Sequence, residues 1–578
     1  MRMVAMLALA VSAAGPAFAQ WKYPGCADLD ATQFKFTELF NRHATLGAAA
    51  GDESMEEPVQ FALQGVNKAG TEALDHVDIY FVQRLGGVKY YDGAAKKIGD
   101  MGEIPVWAAV TGGSNDNGLM GIALDPAFAK NRWMYLWYAP PIANKNLNRR
   151  LHLGRFTVTA QNTLDMKSEK VIIDMLASKN DHWHSGGPME FDAYGDLWIQ
   201  IGNNSDDVDD SLFTQYSKDS SSNDEWGAGN TASMRGGTIR IHPDDSPKGY
   251  SIPKGNFGEY WAAEWEKKGR ADLAAEYRNP AKVLPEIYIK GERSNYSIAL
   301  HPTKRWLAWG TVNFQSSRDE FNIAAHPEFT GFPYFHADNE RVPGQQQMLG
   351  KLEDPAAPMN NSALSSGVHE LPPAVPGTVN SLVPVAIGGP IYLYNPANPS
   401  RSKFPPHLHN SWIGFDWKQS QMHVFGLDTN TLTVTTKTRV DNGLFKGIGL
   451  RGPLGAHYGP DGALYLLNYD GSYSTFNPGI TRVEYTGTCL PSGDAIRADA
   501  AQRFNIVLTP TALEVRESGP HAFALFDHAG RRLLDLRGVQ GARYDFVALR
   551  SRAGLKPGLY LTRVETAAGV YIRRVSFL

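Results

Sequence analysis

An all-β fold, a β-propeller followed by a small C-terminal β-sandwich, is what this sequence predicts, and three observations carry the prediction. Helix-period stretches are sparse, with Asp52 to Val66 and Tyr260 to Tyr277 the best candidates. Short β-branched and aromatic runs bounded by Gly, Pro, Asn and Asp recur instead along the whole chain. Several of these runs share one grammar, a polar turn followed by an alternating or wholly apolar strand. Examples are Asn131 to Tyr138, Tyr194 to Gln200, Lys304 to Trp309 and Pro460 to Leu467.

Such recurrence points to small sheets repeated radially, because four-stranded blades bury both faces against their neighbours and leave only short edges exposed. The spacing is too irregular for a solenoid. Polar, Gly/Pro/Ser-rich insertions from Ser205 to Ala232 and from Asn339 to Leu382 read as loops on a propeller face, the kind of segment that carries function. From Ala501 to Leu578 charged residues alternate with apolar ones in strands broken by His528-Ala529-Gly530, Gly538 to Gly541 and Lys556-Pro557-Gly558. That pattern predicts the β-sandwich.

The chain has 578 residues, 42% of them hydrophobic and 11% aromatic, which is enough for a substantial core and more than a single core usually fills. Its formal charge of -4, from 56 basic and 60 acidic residues, gives no electrostatic footprint for nucleic acid. The first 19 residues carry Arg2, an apolar run from Met3 to Ala14 and the small-x-small sequence Ala17-Phe18-Ala19, as an export signal does. The apolar run is too short for a membrane span, and no later stretch reaches the required length. The expected organisation is a signal peptide over 1–19, a propeller over 20–488, a linker over 489–500 and the sandwich over 501–578. The expected location is secreted, periplasmic or cell surface. Only two cysteines occur, Cys26 and Cys489, and in an oxidising compartment they are expected to form a disulfide tying together the ends of one domain. The alternative is two unpaired thiols.

From about Val66 to Gly487 the sequence resembles the glucose/sorbosone dehydrogenase family, through motifs that occur in family order. They include Asn117-Gly118-Leu119-Met120-Gly121-Ile122-Ala123-Leu124-Asp125-Pro126, His184-Ser185-Gly186-Gly187-Pro188-Met189-Glu190-Phe191, Arg235-Gly236-Gly237-Thr238, Gly331-Phe332-Pro333-Tyr334 and Gly459-Pro460-Asp461-Gly462. The resemblance implies six blades, bound pyrroloquinoline quinone (PQQ) and calcium, and oxidation of a sugar or polysaccharide with possible transfer to an external electron acceptor. It places the proton-abstracting base at His184, with His182 as a competitor, and the residue that orients it at Asn203. Asp116 and Asn117 fall where the family lines its pocket. Arg293, in Gly291-Glu292-Arg293-Ser294-Asn295, and Lys418 fall where it holds the quinone.

The chain also departs from the family pattern. Asn203 stands where relatives usually have an aspartate, Ser294 and Asn295 where Asn and Pro are expected, and Pro384 where near relatives have an arginine. These departures support a second reading, a propeller that has lost its redox site and serves as an extracellular carbohydrate- or surface-binding module. No residue is assigned to a metal: the acidic run Asp206-Asp207-Val208-Asp209-Asp210 lacks EF-hand spacing and reads as a solvated loop. Trp183, Trp198, Trp309 and Trp412 are either sugar-stacking platforms or, the expected outcome, core residues. The last 80 or so residues resemble the C-terminal sorting domains of type IX secretion cargo, and a generic immunoglobulin-like module is the alternative.

Overall fold

In the computed structural model the described residues between Phe34 and Tyr485 form six antiparallel sheets of four or five strands and one two-stranded ribbon, Phe335–His336 with Glu340–Arg341. The structure describes residues 23, 26–42, 55–65, 77–108, 116–142, 149–177, 183–204, 227–313, 318–342, 367–470, 477–490, 506–508, 512–516, 519–527, 531–539, 541–556, 558–566 and 569–577. The signal peptide, His182 and the acidic run from Asp206 to Asp210 lie outside the described residues, as do 491–500 of the linker and most of the two long insertions.

The first blade is built from Pro58–Gly65, Val77–Gln83, Gly87–Asp92 and Lys97–Glu103, and the second from Leu119–Leu124, Trp133–Tyr138, Arg150–Val158 and Leu164–Leu176. The third uses Met189–Phe191, Leu197–Ile201, Gly237–Pro243 and Ile287–Lys290, and the fourth Ile298–Leu300, Leu307–Thr311, Glu320–Ala324 and Val379–Asn380. The fifth uses Ala386–Tyr392, Ser411–Asp416, Gln421–Asp428 and Thr433–Arg439. The sixth is composite: Pro453–Tyr458, Leu464–Asn468 and Gly479–Tyr485 are completed by Phe34–Asn41 from the other end of the chain. The first strands of the six blades touch one another in a closed cycle, so the all-β propeller holds.

Alternation within the strands supplies the packing between blades. Phe40, Phe61, Ile79, Phe81, Tyr91, Tyr465 and Ile480 form one cluster between the sixth and first blades. There Phe40 lies 4.8 Å from the Tyr91 ring and 5.6 Å from that of Phe81. Each such side chain contributes about 1.5–3 kcal/mol on burial. Trp412, Phe321 and Phe425 do the same between the fourth and fifth blades.

The two helix-period stretches have different outcomes. Phe257–Lys267 and Ala271–Tyr277 are helical, broken at Gly269, whose φ of 76° no continuing helix tolerates. Their apolar faces pack on Phe329, Tyr334 and Leu371. The Asp52 to Val66 expectation is corrected, because Pro58–Gly65 is the innermost strand of the first blade, paired along its length with Val77–Gln83. The period-two set Val59, Phe61 and Leu63 overrides the helical one there.

A second compact unit comprises Leu490–Leu578 with Asn395–Ala397. It holds a sheet of Ile506–Leu508, Ala512–Val515 and Ala542–Asp545 and another of Arg532–Gly538, His521–Phe526, Gly558–Thr566 and Gly569–Phe577. Leu513, Val515, Phe523, Leu525, Tyr544 and Val564 form a core shared by the two sheets, which makes the unit a β-sandwich. One helix, Phe546–Ala553, is capped by the Asp545 carboxylate and ends at Gly554.

Cys26 and Cys489 are joined, with a Cα–Cα distance of 5.7 Å across a sequence separation of 463. They flank the strands that make the composite blade, so the bridge locks the ends that close the ring. Cys489→Ser is expected to destabilise the propeller by about 2–5 kcal/mol, read as a lower unfolding midpoint than wild type without reductant and an equal one with it. Native, unreduced protein should give no reaction with a thiol reagent.

Candidate functional site

Where the six first strands converge lies a cavity of about 270 Å³ lined from every blade: Val59 and Gln60, Met120, Pro188, Val312, Ile387 and Leu454. Asp116, Trp183 and Tyr296, at the entries to the second, third and fourth blades, also line it. Arg84, Trp417 and Tyr469 complete its polar and aromatic wall.

The segment 183–188 leads into Met189–Phe191 and carries His184, which is buried next to the cavity-lining Trp183, Gly186 and Pro188. The backbone there is unusual: His184 has φ 52°, in the left-handed region that a β-carbon disfavours, a conformation that needs support from its surroundings. Two hydrogen bonds supply it. The His184 N–H donates to Asp116 Oδ2 at 2.7 Å, and the Trp137 indole N–H donates to the Ser185 carbonyl at 3.0 Å. Gly202 permits the fit, since a β-carbon there would lie 2.3 Å from the His184 carbonyl oxygen.

The imidazole is oriented from the other side. His184 Nδ1 lies 2.7 Å from Asn203 Oδ1, and the Asn203 N–H donates to the Arg293 carbonyl at 2.7 Å. A carbonyl oxygen only accepts, so this contact puts the proton on Nδ1 and leaves Nε2 with its lone pair. Asp116 is shared, because its Oδ2 also accepts from the Tyr296 hydroxyl at 2.8 Å. Tyr296 is held in turn by Gln60 Nε2, which donates to its carbonyl at 2.8 Å. Burial, with Asp116 next in order, raises the Tyr296 phenol well above its usual range, so it stays a donor.

His184, Asn203 and Asp116 are therefore brought into one hydrogen-bonded group. Asn117 adjoins it, but its side-chain oxygen accepts from the Gly118 N–H at 2.8 Å. Arg293 is buried nearby and donates to the Val312 carbonyl at 3.0 Å. Lys418 is not brought to the group: it is exposed in the turn after Asp416, while the adjacent Trp417 lines the cavity. Of the four tryptophans, Trp198, Trp309 and Trp412 are fully buried in the blades and Trp183 lines the cavity. Sequence reasoning missed Tyr296, Trp417, Tyr469 and the ion pair of Arg84 with Glu57, 2.7 Å apart.

Glu292, which adjoins Arg293, and Glu320 are buried carboxyls. Burial pushes Glu292 up to about 8 and Glu320 up to about 7. Glu292 accepts from the Thr238 hydroxyl at 3.0 Å, and Glu320 from Asn313 Nδ2 at 2.7 Å and from the Ala337 N–H.

Residues 70–256 match the family model described as Glucose / Sorbosone dehydrogenase. An uncharacterized protein of Synechocystis sp. is 24% identical over 313 residues, a match covering 50% of this chain and 66%, just under two thirds, of that protein. A solved structure described as glucose dehydrogenase aligns with TM-score 0.50 at 17% identity, covering 78% of this chain and 98% of its own. A crystal structure of glucose dehydrogenase aligns with TM-score 0.50 at 18% identity, covering 78% and 99%. These solved structures share the fold, and the class is a β-propeller. The family that the motifs resemble, glucose/sorbosone dehydrogenase, is the one whose model matches residues 70–256.

Because Glu292 has a folded-state pKa above its unfolded value, its contribution to stability is fully present below about pH 4.5 and is lost as pH rises through about 8. Glu292→Gln mimics the protonated acid. Its unfolding midpoint is expected to match wild type near pH 5 and exceed it at pH 8.5; parallel curves would mean that this carboxyl titrates normally.

Proposed function

We propose that this protein is an exported oxidoreductase of the sugar-dehydrogenase type that oxidises a hydroxyl-bearing small molecule in the central cavity, with His184 as general base. The observation that carries this reading is the 2.7 Å contact of His184 Nδ1 with Asn203 Oδ1, which leaves Nε2 as the proton acceptor. In the balanced reaction the hydroxyl proton passes to Nε2 while the carbinol hydrogen leaves with its electron pair to a two-electron acceptor, and the C–O single bond becomes a carbonyl. Asp116 lines the cavity and can accept from a second donor of the substrate, since the reacting hydroxyl gives its one proton to Nε2. Export agrees with the Cys26–Cys489 bridge, which an oxidising compartment sustains. In this reading the C-terminal sandwich serves delivery to the cell surface.

The family resemblance makes PQQ the hydride acceptor, with calcium beside it. The described residues do not fit that tricarboxylate. Among the described residues Arg84 is the one cation lining the cavity, and it pairs with Glu57 at 2.7 Å. Arg293 points to the Val312 carbonyl, and Lys418 is exposed. Three carboxylates removed from water without cationic partners are costly. Calcium needs several oxygens. The one group of three or more candidate metal ligands among the described residues is Cys26, His407 and Cys489, whose sulfurs are joined. The reading therefore takes an external acceptor.

A second reading, the catalytically silent binding module, is favoured by the neutral amide at Asn203, which stabilises an imidazolium less than a carboxylate does. Dye-linked oxidation of an alcohol panel, with and without added PQQ and calcium, separates the two. His184→Ala is expected to lower turnover about 10²–10⁴-fold, and Asn203→Asp to raise it. Absence of turnover under every condition, with ligand binding retained, would establish the module.

A further inference from the structure

We propose that Cys26, Cys489 and His407 form a zinc site when the disulfide is reduced, so that a metal closes the ring where a covalent bond does not. None of the three lines the central cavity, so the site is independent of the reaction assigned there.

Three distant stretches of chain meet here. Cys26 precedes Phe34–Asn41, Cys489 follows Gly479–Tyr485, and His407 belongs to the single-turn helix Pro406–Leu408, between the first two strands of the fifth blade. The two sulfurs and a ring nitrogen of His407 lie within 4.8 Å of one another. Tetrahedral zinc spaces thiolate and imidazole ligands about 3.5–3.8 Å apart, so small side-chain shifts complete the geometry once the sulfurs separate.

His407 itself points to a ligand. It is 6% exposed, and its Nε2 lies 3.0 Å from the Ala27 carbonyl. That oxygen only accepts, so Nε2 carries the proton and Nδ1 the lone pair. Nδ1 has no hydrogen-bond partner among the described residues. A buried lone pair left unmatched is costly. A ligating histidine almost always donates its other N–H to a carbonyl, carboxylate or water, and here that second bond is already made, next to Cys26.

The charges also match. Two thiolates and a neutral imidazole balance Zn²⁺, so the site buries no net charge. Cys26 and Cys489 are half-buried, which leaves the fourth tetrahedral position to water. A dithiol reductant gives two electrons and two protons to the S–S bond, which becomes two thiols while the reductant becomes a disulfide. Zinc then forms two Zn–S bonds and one Zn–N bond and releases both thiol protons to solvent.

The test reduces the full chain with a water-soluble phosphine, which leaves as its oxide, removes the reagent anaerobically and titrates with Co²⁺ and then Zn²⁺. The reduced protein should show tetrahedral cobalt bands with thiolate-to-metal charge transfer, saturating at one ion per chain and bleached by zinc. Bound zinc should slow alkylation of the two thiols at least tenfold and raise the unfolding midpoint of the reduced protein. His407→Asn should bind zinc at least tenfold more weakly. Should that variant not fold, cadmium NMR of the reduced wild type reads the ligand set, with two sulfurs and one nitrogen expected. Absence of the charge-transfer band, equal zinc affinity in folded His407→Asn, a cadmium shift without nitrogen, equal zinc binding by the oxidised protein, or a reduced chain that unfolds and that zinc does not restore would each overturn the proposal.

Discussion

Six short sheets arranged in a ring leave an unpaired edge and an unfilled sector unless the last blade meets the first, and here one antiparallel pairing closes that gap. Phe34–Asn41 joins Gly479–Tyr485, so both ends of the propeller sequence share one sheet. The aromatic cluster around Phe40 then fills the seam with the first blade, and the Cys26–Cys489 bridge lies just beyond the paired strands. Every inward-facing strand end derives its position from this closure, because the central cavity has a defined wall only when all six blades are in register. The site is a property of the ring rather than of any one blade.

Within that ring the group around His184 is held by backbone as much as by side chains. The left-handed turn at His184 depends on Asp116 from the entry to the second blade, while Asn203 is held by the Arg293 carbonyl at the entry to the fourth. The strained turn at His184 is thus flanked by groups from three blades. Among the described residues, Arg84, paired with Glu57, and Asp116, half satisfied, are the charged side chains on the cavity wall. Asn203, as a neutral partner, orients the ring without charging it.

Much of the architecture was legible because it is encoded locally. The polar turn followed by an apolar strand, recognised at Trp133, Leu197, Leu307 and Leu464, falls in each case on the second strand of a blade, where strand alternation and turn chemistry agree. The helical period around Phe257 to Tyr277 was equally plain, whereas Pro58–Gly65 was misread because a short amphipathic run satisfies both periods until its partner strand is known. His184, Asn203 and Asp116 were found through motif resemblance. Tyr296 and the Arg84–Glu57 pair were not, because each acquires meaning only from a residue distant in sequence or from the shared cavity wall. Lys418 shows the converse: a motif position one residue from the cavity-lining Trp417 whose own side chain faces solvent. Spacing alone does not reveal which neighbour turns inward.

The central claim is that Asn203 holds the His184 proton on Nδ1, so that Nε2 is the nitrogen able to accept one. Two-bond nitrogen–proton NMR of histidine-labelled protein reads this directly, with His184→Gln providing the assignment. The account predicts the Nδ1–H tautomer at neutral pH and a shift of the Nε2 resonance when an alcohol binds. An Nε2–H tautomer, or an Nε2 signal indifferent to every alcohol, would contradict it.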